Sequence, residues 1–284
     1  MAAFEEYTAP KTETPRQRLM AAFEEYTAPK TEIPRRVYLT VSTIVAAALL
    51  LLWCVLAYGK FVREDFLPTP VAVVAAAAAG IRDNSLIVNT AVSVSEILSG
   101  FVLASIIAVP LGILMGSFKI VEAAIEPVTN FMRYLPVSAL IPLLILWIGI
   151  GIEEKIAVIF LGTLFQQLIL IADVSRLVSA DLLDVSYTLG ANRRVVIRRV
   201  LIPATMPGVM DTLRVTLGWA WTYLVVAELV AANKGLGYFI LNSMRGLFTD
   251  QIFLGIIVIG LLGLATDQLF KALRSWMLPW ATTA

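Results

Sequence analysis

Hydrophobic residues in this chain come in long uncharged runs that are separated by shorter polar segments. A helix that crosses the hydrocarbon core of a membrane, which is ~30 Å thick, needs about 20 mainly apolar residues. Six segments approach or reach this length, and we predict a membrane-spanning helix in each of them: 37–58, 97–117, 134–152, 156–172, 208–232 and 252–266. The pattern therefore predicts an all-α integral membrane protein with about six transmembrane helices.

The composition supports a membrane protein and excludes several classes of function. Hydrophobic residues make up 59% of the chain and charged residues only 15%, whereas a soluble domain averages about 45–50% and about 25%. The chain has no histidine, which excludes a His-based triad, a His general base and a His-ligated metal. Its one cysteine, Cys54, cannot form an internal disulfide, and there is no G-x-x-x-x-G-K-[ST] phosphate loop. We therefore predict no catalytic, cofactor-binding or metal-binding residues, and no enzyme activity.

The first 36 residues are polar and contain a duplication. The sequence MAAFEEYTAPKTE occurs at 1–13 and again at 20–32. Two copies are too few for a repeat architecture, which needs at least about three units. We interpret residues 1–36 as a disordered tail with a duplicated start region, and we assign the membrane domain to residues 37–284.

The distribution of lysine and arginine predicts the orientation of the spans. The 22 basic and 21 acidic residues nearly cancel, so the chain has no overall field that would attract nucleic acid. With the N-terminus inside, fourteen basic residues fall on the cytoplasmic side, six fall outside, and two lie within or beside spans. Because cytoplasmic loops carry the excess of basic residues, we predict that both termini are cytoplasmic.

Only one connection is long, polar and, in this orientation, intracellular: residues 173–206. A short helix is predicted over 180–189, and Gly190 suits the left-handed position that ends it. A second, basic helix is predicted from Asn192 onward. Two prolines are expected to break the chain before the next span: Pro203 and Pro207.

The spacing in this loop resembles the EAA loop of ABC importer permeases. In that family the pattern is Glu-Ala-Ala, three residues, Gly, nine residues, then Ile-x-Leu-Pro. The corresponding positions here hold Asp184-Val185-Ser186, Gly190 and Val200-Leu201-Ile202-Pro203. The glycine, the proline and both spacings match. Asp replaces Glu, Val-Ser replaces Ala-Ala, and Ile202 replaces the leucine.

Further segments, from about residue 60 to the C-terminus, are similar to permeases of the nitrate/sulfonate/taurine/bicarbonate importer group. They are Phe66-Leu67-Pro68-Thr69-Pro70, Gly100-Phe101, Pro110-Leu111-Gly112, Pro136-Val137-Ser138-Ala139-Leu140-Ile141-Pro142, Leu213-Arg214-Val215 and Val226-Ala227-Glu228-Leu229. The resemblance thus covers most of the predicted membrane domain as well as the loop.

The resemblance implies a type I ABC importer permease, a multi-pass protein of the bacterial cytoplasmic (inner) membrane. Residues 177–206 would then form a coupling loop that docks on separate ABC ATPase subunits, where ATP and Mg bind. The residues that we assign to coupling are Asp184, Gly190, Ala191 and Pro203. Four arginines of the loop have a second interpretation, as anchors at lipid phosphates: Arg193, Arg194, Arg198 and Arg199. The other implied partners are a second permease copy in a homodimer, an extracytoplasmic solute-binding protein and membrane lipid.

Several polar residues inside the predicted spans are candidates for lining a translocation path. A charge at membrane depth is costly and tends to face protein or a water-filled path. Arg133 and Arg214 either snorkel to the cytoplasmic interface or line the exit route of an anion. If Asp211 pairs with Arg214, only Arg133 stays free for an anion, and the anion interpretation weakens in favour of snorkelling. The other candidates are Gln166, Gln167, Trp219 and Glu228. Of these, Glu228 is expected to pair with a polar group or an arginine.

The predicted function is therefore a permease subunit that forms the path of an ATP-driven importer for a small anionic solute. The alternative is an ion-coupled secondary transporter, a class that commonly has internal repeats of the membrane domain; we find no such second copy in the sequence. An intramembrane enzyme would need paired acids or metal ligands, whereas acids such as Glu96 and Asp267 are scattered along the chain.

Overall fold

The computed structural model describes residues 33–281, and all of the regular structure in them is helical. The helices are α1 Arg35–Tyr58, α2 Pro70–Arg82, α3 Ser85–Ser117, α4 Lys119–Arg133, α5 Val137–Ile148, α6 Ile152–Arg176, α7 Ala180–Thr188, α8 Arg193–Val196, α9 Ile202–Ala231, α10 Leu236–Arg245 and α11 Thr249–Met277. A π turn, Ile197–Leu201, joins α8 to α9, and a short 3₁₀ turn, Pro279–Ala281, follows α11. Residues 1–32, which hold the duplication of the predicted tail, lie outside the described residues.

Residues 33–61 are the described part of the first of two units, and α1 is their helix. This helix has 24 residues, about 36 Å at 1.5 Å per residue. No charged residue occurs from Val37 to Tyr58. The helix begins directly after Pro34 and is followed by Gly59. The first predicted span is therefore confirmed as a helix long and apolar enough to cross a membrane.

The second unit, which contains the other helices, is organised around close pairing of α3 with α6. Glycines of α3 allow the two backbones to approach, as small residues commonly do between membrane helices. A Cβ placed at Gly116 would collide with the carbonyl oxygen of Ala172. From Gly100 to Gly116 along α3, the contacts move from Ile159 to Ala172 along α6. The two helices therefore run in the same direction.

The later helices alternate in direction. Gly208 at the start of α9 contacts Val174 near the end of α6, and Tyr223 further along α9 contacts Gly162 nearer the start of α6. These two helices are therefore antiparallel. Two side-chain contacts make α11 antiparallel to α9 in the same way: Trp221–Thr266 and Asp211–Arg274. The end of α6, the start of α9 and the end of α11 thus lie at one end of this unit.

The third predicted span, 134–152, is not a single membrane-spanning helix. In its place α4 and α5 meet at a bend of 97°. Pro136 disfavours helical backbone at the residue before it, so α4 ends at Arg133 and a new helix begins at Val137. Because α3 and α6 run in the same direction, the chain must return across the membrane between them. We therefore count α4 and α5 together as one broken span.

With this pair counted once, the described part of the chain has six candidate spans, five of them single long helices. The predicted number of spans is confirmed. The predicted segments are the apolar centres of longer helices, which continue into polar ends; α6, for example, extends the predicted 156–172 to Ile152–Arg176.

The prediction that Pro203 and Pro207 break the chain before the fifth span is also wrong. One helical segment continues from Arg193 to Val230. Proline donates no backbone hydrogen bond, and its ring crowds the carbonyl four residues earlier. The π turn Ile197–Leu201 ends two residues before Pro203, so Arg199, four residues before the proline, lies in winding wider than that of an α-helix. The basic helix of the loop and the fifth span are therefore continuous.

Candidate functional site

The bend between α4 and α5 lies beside a cavity of about 200 Å³. Its wall includes Arg133 from the bend, Gly162 and Gln166 from α6, and Tyr223 from α9. Gln166 is ten residues from the end of α6 at Arg176, about 15 Å along the helix. The cavity is therefore near the middle of a helix of 25 residues. Irregular backbone at such depth occurs where it is buried in protein or lines a cavity.

Arg133 is the only charged residue that lines this cavity within the described part of the chain. Its Nη2 donates to the Tyr134 hydroxyl at 2.8 Å, and its guanidinium carbon lies 4.6 Å from the centroid of the Tyr134 ring. Its buried Nε has no hydrogen-bond partner among residues 33–281. Arg133 is also the last residue of α4, where the helix dipole favours a positive charge.

This position bears on the two interpretations of Arg133. Snorkelling requires that the guanidinium lie at the cytoplasmic end of a span, whereas Arg133 lies beside the middle of α6. A guanidinium with donors still available and no carboxylate beside it in the cavity suits an oxyanion, which accepts two parallel hydrogen bonds from it. The contacts of Arg133 are thus compatible with the anion interpretation, which stays a prediction.

The neighbouring glutamines of α6 have different surroundings. Gln166 lines the cavity. Gln167 is fully buried, and its Nε2 lies 3.2 Å from the Ser105 Oγ and 3.3 Å from the Thr216 Oγ1. Gln167 thus links α3, α6 and α9. Of the two predicted glutamines, only Gln166 lines the cavity together with Arg133. Trp219 is exposed on α9 and does not line the cavity.

The sequence interpretation missed two residues that shape the cavity. Gly162 and Tyr223 both line it, and a Cβ placed at Gly162 would lie 2.6 Å from the Tyr223 ring. The glycine therefore lets the tyrosine pack on the backbone of α6. The available signal was the isolated glycine inside an apolar helical run, because such a glycine costs about 1 kcal/mol relative to alanine and usually has a packing reason.

Arg214 has a carboxylate partner, but it is not the predicted one. Its Nε is 2.9 Å from the Asp267 Oδ1 on α11, and Asp267 also pairs with Lys271 at 2.7 Å. Asp211, three residues before Arg214, pairs instead with Arg274 at 3.3 Å. The structure therefore assigns Arg214 to an ion pair between α9 and α11. Of the two predicted arginines, Arg133 alone remains free of a described carboxylate.

Glu228 is fully buried where α3, α9 and the start of α10 meet. One carboxylate oxygen accepts from the Ser93 hydroxyl at 2.5 Å, and the other accepts from the Gly237 N–H. The Ser93 Oγ in turn accepts from the Leu236 N–H at 2.8 Å. The expectation that Glu228 pairs with a polar group is confirmed. Its contacts give it a structural position at the start of α10, and its role in a translocation path stays a prediction.

The loop that resembles an EAA loop has the predicted helix and the predicted glycine turn. After α7, Gly190 has a φ of +81°. Its N–H donates to the Tyr187 carbonyl at 2.9 Å, and the Ala191 N–H donates to the Ser186 carbonyl at 3.1 Å. These two bonds form a Schellman motif, which ends a helix through a left-handed residue. The predicted end of the helix at Gly190 is thus confirmed.

The surface of α7 is open. No residue of this helix is buried, and three apolar side chains are exposed along it and just after it: Leu182, Val185 and Leu189. Asp184 is exposed among them. The other two residues assigned to coupling are partly exposed: Ala191 and Pro203. An exposed apolar patch of this kind commonly marks an interaction site.

Comparison with known proteins places most of the second unit in one family. Residues 108–279 match the family described as the binding-protein-dependent transport system inner membrane component. A protein of Brucella abortus (strain 2308), named as a probable ABC transporter permease, is 36% identical over 77% of this chain and 87% of its own length. The taurine transport system permease protein TauC of Escherichia coli (strain K12) is 30% identical over 85% of this chain and 90% of its own.

The fold is similar to that of a solved transporter chain. The MetNI methionine ABC transporter, solved in inward-facing conformations, contains a chain that superposes with a TM-score of 0.55 at 20% identity. The match covers 65% of this chain and 94% of that one. At this level of identity the likeness concerns the fold, which is that of a type I importer permease.

Proposed function

The chain belongs to the family of inner-membrane components of binding-protein-dependent transport systems and is a permease component of an ABC importer; we propose that its path carries a small anionic solute past Arg133. The relative named for taurine transport supports a solute with an oxyanion group, because taurine, a zwitterion, carries a sulfonate. The alternative of an ion-coupled secondary transporter has no observation in its favour.

The observation that carries the proposal is the cavity at the broken span. At about 200 Å³ it is smaller than the ~300–1,000 Å³ pockets that hold drug-sized ligands, so it suits a solute of a few heavy atoms. Arg133 supplies a permanent positive charge, and Gln166 adds a neutral side chain that both donates and accepts hydrogen bonds. Anions are thus favoured over neutral or cationic solutes of the same size.

The partners of the chain belong to the same proposal. Two copies form a homodimer with one path, and an extracytoplasmic solute-binding protein delivers the solute. The exposed surface of α7, with Asp184 and the turn at Gly190, docks on an ABC ATPase subunit that holds ATP and Mg and carries out hydrolysis. What supports this is that α7 buries none of its residues within the chain.

Arg133→Gln tests the anion proposal. Glutamine retains hydrogen-bonding capacity but removes the charge, so we expect uptake of a sulfonate or bicarbonate solute to fall about five- to tenfold, equivalent to roughly 1–1.4 kcal/mol. The measurement is uptake by vesicles that contain the reconstituted importer, at saturating solute-binding protein. Arg133→Lys, which keeps the charge, should retain more uptake than Arg133→Gln.

The matched control is Arg82→Gln, because Arg82 is exposed at the end of α2 and far along the chain from the cavity. This variant should transport like the unmodified protein. Unchanged uptake by Arg133→Gln, with normal assembly of the complex, would remove the anion proposal and leave Arg133 as a residue that stabilises the bend.

The orientation of the spans is tested by cysteine labelling in a Cys54→Ala background. The excess of basic residues predicts that the coupling loop is cytoplasmic. A cysteine at Asn192, which is exposed, should be protected from an impermeant thiol reagent added outside intact cells. A cysteine at Asn242 on α10, also exposed, should be labelled. The reverse pattern would overturn the proposed orientation.

A further inference from the structure

One arginine at the end of α6 holds the start of α4 through several ion pairs. The Arg176 Nη2 lies 2.9 Å from a Glu126 oxygen and 3.3 Å from a Glu122 oxygen, and its Nη1 lies 2.7 Å from an Asp173 oxygen. Glu122 also pairs with Lys119 at 2.8 Å. Only about 29% of the Arg176 side chain is exposed, so these contacts are partly shielded from solvent, and ion pairs of this kind are stronger than exposed ones.

The rest of α4 is weakly anchored. Thr129 is the only buried residue among its 15 residues. The chain is interrupted at both ends of the helix, by extended backbone at Phe118 and by the bend before Pro136. A helix with breaks at both ends and little buried surface can move as a unit, because hinge motion is absorbed by a few residues at element ends. The ion pairs of Arg176 therefore contribute to holding α4 in position.

Arg176 is also the residue through which α4 meets the coupling loop. It is the last residue of α6, and α7 begins at Ala180. A second contact joins the same regions, because the guanidinium carbon of Arg193 lies 4.9 Å from the Phe118 ring centroid, directly before α4. Both contacts connect the first half of α4, or the residue before it, with the segment that surrounds α7.

The other end of α4 carries Arg133. Glu126 and Arg133 are seven residues apart on this helix, about 10 Å along its axis. Pro127 lies between these two residues, but α4 remains one helix through it, so a shift of its Glu122–Glu126 end is passed along the helix and changes where Arg133 lies in the cavity.

We infer that Arg176 is a positioning residue that transmits displacement of the coupling loop through Glu122, Glu126 and α4 to Arg133. This inference rests on the proposed function, since it assumes that the loop docks on the ATPase and that Arg133 faces the solute. Docking moves the end of α6 together with α7, the ion pairs move α4 with it, and the guanidinium of Arg133 changes its approach to the anion.

Arg176→Gln in the reconstituted importer tests the inference. We expect the complex to assemble and to hydrolyse ATP, while the amount of solute transported per ATP falls at least threefold. Arg82→Gln is the matched control and should leave this ratio unchanged. Glu126→Gln, which removes one of the two carboxylates on α4, should give an intermediate loss.

Charge reversal separates a positioning role from a merely structural one. Arg176→Glu alone should lower the transported amount per ATP further, and Arg176→Glu combined with Glu126→Arg should restore part of it. If Arg176→Gln fails to assemble, Glu126→Gln and the reversed pair still decide the question. An unchanged ratio in Arg176→Gln or Glu126→Gln, or a reversed pair no better than Arg176→Glu alone, would overturn the inference.

The two proposals fail in different ways. If Arg133→Gln transports normally, the anion path is wrong whatever Arg176 does. If Arg133→Gln loses uptake but the Arg176 and Glu126 variants keep a normal ratio of solute to ATP, the path stands and the transmission through Arg176 is wrong.

Discussion

Gly190→Val is expected to lower uptake and stimulation of the ATPase by at least tenfold while the protein still inserts into the membrane. Gly190 has a φ of +81°, a conformation that costs an ordinary residue about 1–2 kcal/mol and a β-branched residue more. A Cβ at Gly190 would meet no atom within 4 Å, so the effect comes from the backbone alone. Loss of the turn releases the Schellman bonds that fix the end of α7.

A graded series makes this prediction sharper. Asparagine tolerates the left-handed region better than other residues with a side chain, so Gly190→Asn should retain most of the uptake, with Gly190→Ala between it and Gly190→Val. The measurements are uptake, ATPase stimulation and co-purification with the ATPase subunit. If Gly190→Val keeps full stimulation and full co-purification, this turn has no part in coupling.

The coupling loop was largely predictable from sequence because its structure is local. The helix over 180–189 and its end at Gly190 depend on residues within a few positions of each other, and the structure has α7 at Ala180–Thr188. The continuation of the next helix through Pro203 was not predictable in the same way. It depends on the π turn at Ile197–Leu201, and no rule of residue preference marks such a turn.

The partners of charged residues could not be predicted because they are distant in sequence. Asp211 lies three residues before Arg214, and such a pair on a helix is worth about 0.2–0.5 kcal/mol. That local preference is smaller than the effect of packing α9 against α11, which brings Asp267 to Arg214 and Arg274 to Asp211. Helix packing therefore decides which charges meet.

The broken span was missed for a related reason. A search for uncharged runs begins the third span after Arg133 and excludes α4, which contains four charged residues: Lys119, Glu122, Glu126 and Arg133. Pro136 is apparent in the sequence, but whether it divides a membrane span depends on where the helix before it begins. The bend, and with it the cavity, follows only once α4 is recognised as the first half of the span.

Glu228→Leu is expected to have the largest effect on stability. Leucine is similar in size to glutamate but accepts no hydrogen bond, so the Ser93 hydroxyl and the Gly237 N–H lose their partner in a fully buried place. Each buried polar group left unpaired costs about 1–3 kcal/mol, and the two together about 2–6 kcal/mol. The melting temperature in detergent should fall by several degrees, and uptake should fall with it because α10 loses its attachment to α3 and α9.

Glu228→Gln separates hydrogen bonding from size, since its one amide oxygen can still accept from Gly237 while its amide group can donate to the Ser93 Oγ. This variant should therefore be destabilised much less than Glu228→Leu. Glu64→Leu is the matched control, because Glu64 is exposed and its replacement should leave the melting temperature almost unchanged. Equal melting temperatures for Glu228→Leu and Glu64→Leu would mean that the carboxylate does not hold α10. If Glu228→Gln lowers the melting temperature as much as Glu228→Leu, the charge of Glu228, and not its hydrogen bonds to Ser93 and Gly237, stabilises the start of α10.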